Sequence, residues 1–238
     1  MQARRLEVLA NNLANVNTPG FKRDVPTFQA RLAEAFEQGL AAPGQSPKDD
    51  VGGGVTLHEV ATDFSAGEMK QTDLPTDLAI VGDGFFQVQA ANDQVLLTRA
   101  GNFAVTTGGE LVTQEGNRPV LDADGSPIVL TPGLPWHVTN DGFVIQEGTA
   151  LGLGLVQPSS LSDLVKIGEN LFRPLADVES IEPAARNVRQ GFLELSSVSP
   201  TLEMMSLIET TRAFEANTKL IQHQDSMLSS LIERVLQS

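Results

Sequence analysis

The sequence predicts an α+β protein: an antiparallel β domain, a small barrel or sandwich, flanked by N- and C-terminal helices that pair as a coiled coil. Three observations predict it. An Asn-rich amphipathic stretch opens the chain, with Leu6, Leu9, Leu13 and Val16 around Asn11, Asn12 and Asn15. A heptad pattern closes it, with Leu207, Phe214, Ile221, Leu228 and Val235 seven apart. Between them, short apolar runs alternate with turn signals and no long helical pattern intervenes, which argues against a doubly wound nucleotide fold.

The opening apolar positions are spaced 3, 4 and 3, the spacing of an a/d seam. Asn17-Thr18-Pro19-Gly20 ends that helix: Pro19 disfavours helical geometry at Thr18, and Gly20 frees the turn. Residues 27–39 predict a second short helix, with Phe28, Leu32, Ala35 and Phe36 on one face. An N-terminal helical segment over 1–40 is followed by a Pro/Gly/Ser/Asp-rich linker over 41–54.

Residues 55–185 then read as the β domain. Its apolar runs are Leu78–Val81, Phe85–Val88, Val95–Leu97, Phe103–Val105, Leu111–Val112, Ile128–Leu130, Phe143–Ile145 and Leu151–Val156. Asp83-Gly84, Gly108-Gly109, Asp124-Gly125 and Asp141-Gly142 are hairpin cues between them. Residues 186–238 are expected to form the C-terminal coiled-coil helix that pairs with the N-terminal helix. Thr210, Asn217 and Gln224 place polar groups in the heptad seam, a device that fixes register at some expense of stability. At ~1.5 Å per residue the closing helix spans roughly 50 Å and the opening one ~22 Å. The first cannot cover the last within one chain, so neighbouring subunits or further upstream residues are expected to cover the remainder.

Composition narrows the function. A net charge of −14 disfavours nucleic acid and anionic lipid as partners. With 11 Phe, 1 Trp and no Tyr, an aromatic-lined ligand groove or base-stacking platform is not expected. The chain has no Cys, hence no disulfide, thiolate metal site or Cys nucleophile. No apolar run reaches the ~18 residues of a membrane span, and Glu7, Asn11 and Asn12 break what would be the core of a cleavable signal.

Candidate chemistry is sparse. His58, His137 and His223 share no ligand spacing and read as surface or turn residues. Asp122-Ala-Asp124-Gly125 begins like a calcium loop, but the sixth and twelfth positions are Pro127 and Gly133, so a hairpin turn is expected. Gly82-Asp83-Gly84 lacks a third glycine and a following helix. No catalytic, metal or cofactor-binding residue is assigned, and no enzyme activity is expected.

Longer motifs carry a resemblance. Ala10 through Lys22 (ANNLANVNTPGFK) is similar to the N-terminal signature of the bacterial flagellar rod and hook proteins. Asp63–Gly67, Leu78–Val88, Leu97–Phe103 and Gly109–Thr113 resemble the central motifs of that family, and Gln190–Ser196 with Met205–Lys219 its C-terminal signature. Length and the modest β insert point to the proximal rod branch, with the distal rod branch next. The resemblance marks Asn11, Asn12, Asn15, Asn17, Thr18, Pro19, Gly20, Phe21, Arg212 and Glu215 as family motif residues. It implies a structural subunit that polymerises helically into the axial drive shaft of the basal body. It also implies partners among copies of itself and other axial rod or hook subunits, and the flagellar type III export apparatus, without membrane insertion. Export through that apparatus to the periplasm-spanning rod needs no cleaved signal peptide. The family usually has a further amphipathic stretch before Arg4-Arg5, which would place Met1 inside the first helix.

The expected assembly interface is Leu6, Leu9, Leu13, Val16, Leu207, Phe214, Ile221, Leu228 and Val235. Asn12, Asn15 and Asn17 are expected to satisfy backbone or cross-chain hydrogen bonds, or else to be solvated. Two other readings compete: a soluble β-sandwich binding module with a helical oligomerisation stalk, and a hydrolase using two convergent carboxylates.

Overall fold

The computed structural model describes residues 1–30, 55–90, 92 and 94–236. Helix α1 (Gln2–Ala14) opens the chain and α2 (Pro200–Leu236) closes it. Between them lie β1 (Arg23–Ala30), β2 (Val55–Asp63), β3 (Met69–Gln71), β4 (Leu78–Ile80), β5 (Phe85–Gln89), β6 (Val95–Thr98), β7 (Phe103–Val105), β8 (Leu111–Thr113) and β9 (His137–Val138). They are followed by β10 (Phe143–Gln146), β11 (Thr149–Gly152), β12 (Leu155–Pro158), β13 (Leu164–Gly168), β14 (Leu171–Pro174), β15 (Val178–Ser180), β16 (Val188–Gln190) and β17 (Phe192–Glu194). The chain is therefore α+β, and every strand pair whose register is defined runs antiparallel.

Two compact units divide it. One comprises Met1–Ala14, Asp24–Ala61 and Ser199–Ser238, the other Asn15–Arg23 and Thr62–Val198. In the first, α1 lies against α2, and β1 pairs with β2. The helix expected over residues 27–39 is corrected for its first part: residues 27–30 are strand. Val25 and Thr27 are β-branched and Pro26 removes a helical donor, so the local sequence favours extended backbone once β2 supplies a partner. Residues 31–39 and the expected linker at 41–54 lie outside the described residues.

The second unit is built on a six-stranded sheet in the order β13-β14-β6-β5-β12-β15. Its two edges, β13 and β15, do not pair with one another, so the barrel alternative is corrected: among the described residues the sheets are open. Successive side chains on a strand face opposite ways, and Phe85 and Phe86 on β5 use both faces. Phe86 joins the main core with Leu78, Val88, Phe103, Leu111, Leu155 and Val188, its ring 5.2 Å from that of Phe103 in edge-to-face contact. Phe85 joins a second core with Leu97, Val156 and Phe172, capped by Phe64 at 5.3 Å from Phe172. Each such side chain fully buried contributes roughly 1.5–3 kcal/mol before ordering is subtracted.

Three of the four hairpin cues form turns. Gly108-Gly109 joins β7 to β8, Asp141-Gly142 joins β9 to β10, and Asp124-Gly125 closes the loop in which Asp122 N–H donates to the Ser126 carbonyl. Asp83-Gly84 instead passes the chain from β4, which pairs with β16, to β5, which pairs with β6.

Candidate functional site

Asn12 organises the inner face of α1. It is fully buried, its amide donates to the Asp24 carbonyl at 2.8 Å, and its side-chain oxygen accepts from Asp24 N–H at 2.9 Å. The carboxamide thus satisfies both backbone groups of one residue, as a neighbouring strand would. The buried face is centred on Val8, Leu9 and Asn12, while Leu6, Leu13 and Val16 are half-buried. Asn15 accepts from the Thr18 hydroxyl at 3.2 Å, which closes the turn after the helix, and Asn11 and Asn17 are exposed.

On α2, Glu203 and Thr210 are buried, and Leu207, Thr211, Ala213 and Thr218 are half-buried. Every described side chain from Lys219 to Glu233 is exposed. The stripe that carries Glu203, Leu207 and Thr210 continues at helical spacing through Phe214, Ile221, Leu228 and Ile232, which are 44%, 59%, 59% and 56% exposed. Leu202, Met205, Leu220 and Met227, also exposed, lie on a second side of the helix. Arg212 and Glu215 are exposed. Val235 lies outside the described side chains. Helix lengths account for the boundary: α1 has 13 residues and α2 has 37, about 20 Å against about 55 Å.

The second unit holds a buried ion cluster that the sequence reading did not single out. Glu194 accepts from Lys22 Nζ at 2.7 Å and from Gly67 N–H at 2.9 Å on one oxygen, and from Arg99 Nε at 2.5 Å on the other. The Lys22, Arg99 and Glu194 side chains are 2%, 5% and 2% exposed. Lys22 Nζ also donates to the Ser65 carbonyl, and the remaining Arg99 nitrogens donate to the carbonyls of Ile80, Gly82 and Gly84. Burial pushes the Lys22 ammonium below its ordinary value, partly opposed by the hydrogen bond and charge of Glu194. Burial would raise Glu194, but the Arg99 guanidinium, the Lys22 bond and the Gly67 amide together hold it below the usual carboxylate value.

Glycines make this packing possible. Gly20 has φ +68°, and a Cβ there would stand 2.5 Å from the Ala100 nitrogen; at Gly101 it would stand 1.6 Å from the Leu78 carbonyl oxygen. Among the described residues no group of three or more His, Asp or Glu is placed to hold a metal, and Asp122 Oδ1 is engaged by the amides of Asp124 and Ser126 at 2.9 and 2.8 Å in an ordinary turn. No described helix is long and apolar enough to cross a membrane.

Known proteins resolve what this arrangement belongs to. Residues 1–22 match the family described as flagella basal body rod protein, and residues 79–167 match the flagellar hook protein FlgE/F/G D1 domain. Residues 189–234 match the C-terminal domain of flagellar basal body rod FlgEFG proteins. The flagellar basal-body rod protein FlgF of Caulobacter vibrioides is 39% identical over 98% of this chain and 92% of its own length. The chain belongs to the flagellar basal-body rod protein family. Rod proteins FlgG of Bacillus subtilis and Borreliella burgdorferi are 33% and 32% identical, over 96% and 95% of this chain. Each of the three matched segments contributes one member of the buried cluster, Lys22, Arg99 and Glu194 in turn. The family's relatives are structural rod proteins rather than enzymes. The missed signal was Arg99 and Glu194, each a lone charge among apolar and small residues, and Lys22 directly after Phe21.

Proposed function

We propose that this chain is a structural, non-catalytic subunit of the flagellar basal-body rod, which polymerises helically through its terminal helices into the axial drive shaft needed for motility. The observation that carries the reading is the exposed continuation of the α2 stripe at Phe214, Ile221, Leu228 and Ile232. A helix apolar beyond one side is built to be buried on more than one. Copies of this chain and other axial subunits cover it, pairing the helices as a coiled coil along Leu6, Leu9, Leu13, Val16, Leu207, Phe214, Ile221, Leu228 and Val235. Each large apolar side chain then adds roughly 1.5–3 kcal/mol, less the entropy of ordering it. A self-contained binding module would instead need these side chains covered within one chain. In this reading the subunit passes the type III export apparatus without a cleaved signal peptide and takes its place in the periplasm-spanning rod.

The test is Phe214→Asp, expressed as the sole copy, with basal bodies isolated and imaged by electron microscopy. Rods are expected to be absent, while the dilute variant keeps the β-sheet circular dichroism signal of the parent. Normal rods built from the variant would refute the reading.

A further inference from the structure

The cluster around Glu194 is not symmetrical in its members. Arg99 and Glu194 make a neutral pair whose remaining partners, the Gly67 amide and three carbonyls between residues 80 and 84, all belong to the β body. Lys22 is the surplus cation, and it arrives on a segment that belongs to no helix or strand: residues 15–22 are turn and irregular backbone. Its ties to the body gather at its far end, Pro19 to Lys22. Gly20 N–H donates to the Glu194 carbonyl at 2.8 Å, Ser197 N–H donates to the Phe21 carbonyl at 3.0 Å, and the Asn170 amide donates to the Pro19 carbonyl at 3.0 Å. Lys166 Nζ donates to the Lys22 carbonyl at 2.9 Å and stands 3.8 Å above the buried Phe21 ring. The charged groups facing the Lys22 ammonium are Glu194, Arg99 and Asp63.

We infer that residues 15–22 form a strap that closes last over a β body already folded without it, with Phe21 as its apolar plug and Lys22 as its pin. Removing the pin leaves Glu194 paired with Arg99 and bonded to Gly67, so the body keeps a balanced cluster. Removing Glu194 does not, because two buried cations then face each other. Opening the strap frees the chain at its exit beside Ser197 and leaves the sheets intact. This does not rest on the rod reading, since it concerns the single chain.

The experiment is hydrogen exchange on the full chain, dilute and unassembled, comparing the parent with Lys22→Met, which keeps the aliphatic stem. The Gly20 and Ser197 amides are expected to exchange at least about tenfold faster, the scale of one buried charged hydrogen bond. In the parent, the Val120 and Ile128 amides, bonded to Leu111 and Val120 within the body, are expected to open only at a higher free energy and with a steeper urea dependence than those of Gly20 and Ser197. Glu194→Gln is expected to speed both sets. Unchanged exchange at Gly20 and Ser197 in Lys22→Met would mean that Lys22 pins nothing. Opening of Gly20 and Ser197 in the parent at the same free energy and urea slope as Val120 and Ile128, or failure of Lys22→Met to fold, would mean that the strap is part of the body and not a closure over it.

Discussion

Lys22 and Glu194 stand 172 positions apart in sequence, and the ammonium donates to the carboxylate at 2.7 Å in a site almost closed to water. The bond joins the end of the N-terminal motif to the start of the C-terminal one. Beside it, Ser197 N–H donates to the Phe21 carbonyl and Arg23 N–H donates to the Ser197 hydroxyl at 3.0 Å.

Glu194→Gln is expected to destabilise the chain by about 3–5 kcal/mol, because it leaves Lys22 and Arg99 buried without their carboxylate. Urea unfolding followed by circular dichroism checks this as a fall in midpoint at unchanged slope.

The acid limb of stability is expected to carry the same signature. Glu194 is held below its ordinary value of 4.5 in the folded chain, so the folded state binds fewer protons than the unfolded one there. Its stabilisation is complete above that value and is lost as pH falls through the lower folded value. Asp63, lowered chiefly by the Ser65 amide, acts in the same direction. Lys22, a base lowered by burial, acts at the other end: the folded state sheds its proton first, so stability rises as pH climbs toward 10.5. Unfolding midpoints measured from pH 7 downward should drop in the parent and drop less steeply in Glu194→Gln, with Asp63 contributing to the slope that remains.

Asn12→Ala is expected to lower stability by about 2–4 kcal/mol, since two buried backbone groups of Asp24 lose that partner. The same substitution at exposed Asn17 should change the unfolding midpoint little.

Two glycines separate space from conformation. Gly101→Ala drives a Cβ into the Leu78 carbonyl and should destabilise by at least about 3 kcal/mol. Gly125→Ala meets nothing within 4 Å and has only its φ of +83° to oppose it, a penalty of about 1–2 kcal/mol. Thermal unfolding of the pair orders them.

Much of this was legible in the residues. Heptad spacing marks α2, and Leu6, Leu9 and Leu13 mark α1, because helix periodicity is local. The face of α1 is turned slightly from the simple seam, since Asn12 takes a central place by serving the Asp24 backbone. Phe85, Phe103 and Phe143 head strands because turn residues bound them. The pairing of β1 with β2, and the three-residue strands β3, β16 and β17, were not legible. They are strands by virtue of distant partners, as in Glu194 against Met69. The ion cluster escaped for the same reason: Lys22, Arg99 and Glu194 are unremarkable singly, and only the fold brings them together.

The central claim is that the outer reach of α2 is uncovered in one chain and covered in the rod. The chain has no cysteine, so Ile221→Cys provides a single reporter. Its alkylation rate would be measured in the dilute monomer and in isolated basal bodies. The account predicts rapid labelling in the monomer and strong protection in the assembled rod. Equal labelling in both would contradict it.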